Sequence, residues 1–229
     1  MTQLNTRRRV LVPAPLAALL TWAAASGLLS VAGLPANAAP RAGPGTIRQL
    51  TPELKALLPK GATNVRGDWV STQTLVHGKI EADIVGSHAC EEASSTGGIS
   101  IEFSAHPMLS ERIAKTLRQA DDQWLEEQAT GMEELAKNPE AADPPAAGIG
   151  PAKREQVGIG RMVYQERKRV CVQTQAPGRT ETELIGLART GKLTWKISVN
   201  VPSTAAETRA LGAEVLGKLV KSGFPVTVK

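Results

Sequence analysis

Residues 192–207 read Lys192-Leu-Thr-Trp-Lys-Ile-Ser-Val-Asn-Val-Pro-Ser-Thr-Ala-Ala-Glu207, and the periodicity of the stretch changes at its proline. Before it, Trp195, Ile197, Val199 and Val201 alternate with Lys196, Ser198 and Asn200. A pleated chain with that pattern has one apolar and one polar face. Pro202 ends the ladder because it has no amide to donate, and Thr204-Ala-Ala-Glu207 forms a capping box that opens a helix. Leu211, Val215, Leu216, Leu219 and Val220 then recur at helical spacing, and Gly223 is placed as a left-handed terminator before Phe224-Pro225. A one-faced strand running directly into an amphipathic helix belongs to a layered α+β domain.

The pattern extends upstream. Glu183 to Arg189 and Lys192 to Val201, separated by Thr190-Gly191, read as a hairpin, and Val157 to Gln175 supplies further strand. Earlier, Ile80, Ala82 and Ile84 alternate with charged residues. Gly97-Gly98 opens a second strand with Ile99, Ile101, Phe103 and Ala105 on one face and Ser100, Glu102 and Ser104 on the other. Half-polar strands of this kind suit an antiparallel sheet with one covered face.

Between Ala105 and residue 138 the period is helical. Ser110 caps a long helix in which Ile113, Leu117, Ala120, Trp124 and Leu135, with Leu125 and Met132 beside them, define the stripe expected to cover the sheet. Gly131 weakens its last turns and Asn138-Pro139 ends it. A short helix is expected from Pro52 to Leu58, with Thr51 as its N-cap and Leu54, Leu57 and Leu58 facing inward. The expected fold class is α+β: an antiparallel sheet with two long helices packed on it, plus the short N-terminal helix. Residues 51–229 read as a single domain after a flexible lead-in at 39–50. The Pro/Ala/Gly-rich segment 138–156 reads as a mobile surface loop within it.

The first 38 residues carry a different signal. Arg7-Arg8-Arg9 precedes an apolar run from Val10 to Leu34, and Ala36-Asn37-Ala38-Ala39 has the small-x-small form a signal peptidase accepts. A signal peptide over 1–38, cut between Ala38 and Ala39, makes the protein exported, either secreted or periplasmic. The arginines match a twin-arginine leader in part. The alternative is an uncleaved membrane anchor through residues 10–34, the only expected membrane contact. The formal net charge of +5 falls to +2 once the three arginines leave with the leader. So small an excess lacks the positive field that phosphate backbones require, which excludes nucleic acid as a partner. In an exported chain, Cys90 and Cys171, 81 residues apart, are expected to form a disulfide. It would stabilise the fold by about 4.5 kcal/mol on the chain-entropy model.

Signatures of chemistry are few. The chain has no G-x-S-x-G, S-x-x-K or H-E-x-x-H, and Gly148-Ile-Gly150 and Gly158-Ile-Gly160 lack the spacing of a phosphate loop and read as turn residues. His88, Cys90, Glu91 and Glu92 form the one dense group of metal-ligand types, but a disulfide at Cys90 removes the thiolate, so no metal or other cofactor is expected. Asp121, Asp122, Glu126, Glu127, Glu133 and Glu134 make the later half of the first long helix acidic. The basic strand residues around Arg161, Arg167, Lys168 and Arg169 are placed to relieve it, with Arg167 and Arg169 as the expected partners. The resulting expectation is a small binding or interaction domain of the cell envelope or extracellular space, without catalytic residues, acting on an unidentified protein or ligand. The alternative is a small exported hydrolase with a site around His77, Glu102 and His106.

Overall fold

The computed structural model describes residues 47–88, 95–142, 146–170 and 177–221. The leader and its cleavage site, residues 39–46, and Cys90 and Cys171 lie outside them. The described strands are β1 (Ile47–Gln49), β2 (Thr63–Ser71), β3 (Val76–Val85), β4 (Thr96–Ala105), β5 (Ala146–Ile149), β6 (Lys153–Val157), β7 (Gly160–Val170), β8 (Pro177–Thr190) and β9 (Leu193–Val201). The helices are α1 (Pro52–Lys55), α2 (Glu111–Lys137) and α3 (Ala205–Lys221), with a single 3-10 turn at Pro139–Ala141.

All nine strands join one antiparallel sheet in the order β1-β2-β3-β4-β9-β8-β7-β5, with β6 also pairing β7. The fold is a sheet-rich α+β. Alternation assigns the faces. Ile80, Ile101, Ile197 and Gly186 lie in one cross-strand row, and the residues on their face join a buried cluster with Leu54, Leu57 and Leu58 near α1 and with Val215, Leu216 and Leu219 of α3. Phe103 and Trp195 are directly opposed in this cluster with ring centroids 5.2 Å apart, and the indole N–H of Trp195 donates to Thr190 Oγ1 at 2.6 Å. On the other face, Val163, Ile185 and Leu187 cluster with Leu125, Ala129 and Met132 of α2. Leu184 and Ile185 are neighbours in β8 but belong to different clusters, so α2 and α3 lie on opposite sides of the sheet.

Local chemistry explains the element ends. Thr51 Oγ1 accepts the Leu54 amide at the start of α1, as its sequence required. Thr204 and Glu207 form the expected capping box. The Glu207 carboxylate accepts the Thr204 amide at 2.9 Å and the Ser87 hydroxyl at 2.7 Å, and Glu166 Oε2 accepts the Ala205 amide at 3.1 Å. At the β8–β9 turn, Gly191 sits at φ 60°, the left-handed conformation of a two-residue hairpin turn. On α3, a Cβ at Gly212 would come within 2.6 Å of Leu184 Cδ1, so the glycine permits close approach of helix to sheet.

Two expectations need correction. Residues 138–156 are not simply a loop: they hold the 3-10 turn, β5 and the start of β6, and both strands pair with β7. The backbone there is satisfied by strand pairing, so large apolar side chains are not needed to hold it. Gln165, fully buried on β7, ties the segment down by donating to Met132 O at 2.5 Å and Gly150 O at 3.0 Å. Likewise the lead-in 39–50 ends in β1, which pairs β2.

The second correction concerns α2. Its expected stripe is buried only along one edge: the row through Leu125, Ala129 and Met132 is buried, the first and last of these having been expected, whereas in the row through Ile113 and Leu117 these two are 46% and 38% exposed. At about 100° per residue the two rows point roughly a third of a turn apart.

Candidate functional site

Leu125, Ala129 and Met132 fix the side of α2 that faces the sheet. Counting back from Leu125 at helical spacing gives Asp121, Arg118, Ala114 and Glu111 on the same side. One continuous stripe is therefore apolar in its second half and polar in its first. The second half can pack dry against β7 and β8, but the first cannot, because burying its charged side chains flat against the sheet would remove their water. Beneath it the structure contains a cavity of about 320 Å³. Its helix side is Glu111, Ala114, Leu117, Arg118 and Asp121. Its sheet side is formed by the end of β4, the β8–β9 turn and Arg189.

The walls are held by polar contacts between helix and sheet. Arg189 Nη2 donates to Arg118 O and to Asp122 Oδ1, both at 2.8 Å, and Asp122 also accepts Arg161 from β7. Lys196 of β9 pairs with Asp121 at 2.9 Å and lies over the Trp124 ring, 4.8 Å from its centroid. Lys192 in the turn donates to Pro107 O at 3.0 Å, tying the hairpin to the start of the helix. Arg118 pairs with Glu111 along α2. The Arg189 Nε is buried and has no hydrogen-bond partner among the described residues.

The acidic half of α2 is relieved by strand cations; Arg161, which was expected, is one of them, but Arg167 and Arg169 are not. Arg161, Arg189 and Lys196 answer Asp121 and Asp122, and Arg154 answers Glu126 and Glu133. Arg167 pairs instead with Glu183, and Arg169 with Glu181, their cross-strand neighbourhood on β8. Strand neighbours compete for a guanidinium more effectively than a helix that does not reach it. Burial pushes the Glu181 carboxyl up, but its hydrogen bond and charge contact with Arg169, reinforced by Arg179, hold it below the ordinary carboxylate value.

The residues proposed for hydrolysis divide between two places. His106 follows β4 and lines the cavity with Ser104. His77 and Glu102 stand on the open polar face of β3 and β4, in successive cross-strand pairs His77–Ser104 and Lys79–Glu102, and Glu102 lies 3.8 Å from Lys79. Of the dense ligand-type group, His88 is described and its amide donates to Pro202 O at 2.9 Å, while Cys90, Glu91 and Glu92 lie outside the described residues. Among the described residues, no group of three His, Cys, Asp or Glu is arranged to hold a metal ion, and no helix is long and apolar enough to cross a membrane.

Arg118, Arg189, Lys192 and Asp121 were not singled out as site residues by sequence reasoning. The available signal was the charged set Glu111, Arg118 and Asp121, in phase with the apolar set Leu125, Ala129 and Met132. Comparison with known protein families, with characterised proteins and with solved structures finds no match to this chain.

Proposed function

We propose that this protein is a small exported binding domain of the cell envelope or extracellular space, and that its ligand occupies the cavity beneath the first half of α2. One observation carries the reading: the sheet-facing stripe of α2 turns from apolar to charged where the cavity begins. A helix that only covered a sheet would keep that stripe apolar throughout. At about 320 Å³ the cavity falls at the small end of the range for ligand sites. In this reading α2 and α3 are two long helices packed on the sheet, one per face, and α2 holds itself off the sheet over its first turns. The clusters around Leu125 and Leu216 support that packing.

The test is retention of a ligand from the protein's own envelope extract, read by native mass spectrometry. The wild-type protein is expected to carry an added mass that the cavity-filling variant Ala114→Phe loses while its melting temperature is kept. Equal retention by both proteins, or none by either, removes the cavity as the site.

A further inference from the structure

We infer that the cavity selects a small organic anion, a carboxylate carried on a short apolar body. This deepens the binding-domain reading and rests on it. The charges around the cavity do not cancel. Glu111 is matched by Arg118, and Asp121 by Lys196. Asp122, however, serves two guanidiniums, Arg161 and Arg189. Lys192 has no ion-pair partner among the described residues, and its one described hydrogen bond is to the Pro107 carbonyl. Positive charge is therefore in excess, and Lys192 on the cavity wall retains N–H donors for a ligand.

A carboxylate beside an ammonium or a guanidinium makes a charge-assisted bond stronger than a neutral one. The rest of the lining gives the ligand its second part. Leu109, Ala114, Leu117 and Leu193 provide apolar wall on both the helix and the turn side. A bare inorganic anion would leave that wall wet, and a neutral alcohol or an amine would leave the excess charge unanswered. The cavity volume limits the apolar body to a few carbons.

The closing experiment titrates the purified exported protein with hexanoate, hexanol, hexylamine and inorganic phosphate, following amide shifts and heats of binding. Hexanoate is expected to bind at least tenfold more tightly than the other three, with the largest shifts at Leu109, Ala114, Arg118 and Lys192. Its affinity should fall about tenfold in Lys192→Gln, an exposed position whose replacement leaves the melting temperature unchanged, and several-fold in 0.5 M salt. Hexanol or phosphate binding as tightly as hexanoate overturns the assignment, as does a Lys192→Gln variant of unchanged affinity. If no probe binds while an extract ligand is still retained by wild type and lost from Ala114→Phe, the anion class falls and the cavity stands. If Ala114→Phe retains the extract ligand, the cavity itself falls.

Discussion

At the scale of single residues, Glu207 shows how one carboxylate ties the head of a helix to a distant segment of the chain. It accepts the Ser87 hydroxyl from the segment after β3 and both the amide and the hydroxyl of Thr204 at the head of α3. The Ser87 hydrogen bond first, and those from Thr204 after it, hold the Glu207 carboxyl below its ordinary value of 4.5. A carboxyl with a depressed folded-state pKa adds stability above its unfolded-state pKa and loses it as pH falls through the folded one. The advantage of wild type over Glu207→Gln in urea denaturation is therefore expected to be steady from pH 6 to 8 and to shrink below about pH 4.5. The same difference at pH 7 and pH 3 would show that the charge on Glu207 is not what holds the cap. Because the side chain is exposed, solvent screening keeps the contribution small.

At the scale of elements, α2 separates what periodicity can and cannot reveal. The helix, its start after Ser110 and its end at Lys137 were legible from spacing alone, as were the alternating faces of β3, β4 and β9 and the capping box of α3. The orientation of α2 was not, because the row through Ile113 and Leu117 is the more apolar along the whole helix and only contact with β7 and β8 selects the row through Leu125 instead. Leu125→Ala is expected to cost about 2–5 kcal/mol, the range for truncating a buried leucine. Ile113→Ala, on the stripe that looked stronger in sequence, should change stability by less than about 0.5 kcal/mol. Equal losses in thermal or urea unfolding would place Ile113 in the core after all. The cavity was hidden for a related reason. Arg118 and Asp121 read as ordinary helix-surface charges until Leu125 establishes that they face the sheet. The segment 138–156 was misread because its prolines and glycines describe composition, whereas its strands depend on β7 being beside them.

For the whole molecule, antiparallel pairing brings distant parts of the sequence to one end of the sheet. Val85 and Thr96, which flank the segment holding Cys90, lie at the same end of the sheet as Val170 and Pro177, which flank the segment holding Cys171. We propose that Cys90 and Cys171 are bridged in the exported chain. An intact mass beginning at Ala39, two units lighter than the reduced chain and inert to alkylation until reduced, is expected. Alkylation of both thiols without reduction, or a mass that includes residues 1–38, would separately remove the bridge or the cleavage. The structure also has a consequence for how the chain can change length. Leu184 and Ile185 send adjacent side chains to opposite clusters, so β8 sets the register of both faces at once. One residue gained or lost there would exchange the partners of α2 and α3 together. By contrast, β2 already absorbs a register shift between Thr63 and Arg66, where its side chains are exposed. One residue inserted between Thr63 and Arg66 is therefore expected to leave the melting temperature nearly unchanged, whereas one inserted in β8 should abolish cooperative unfolding.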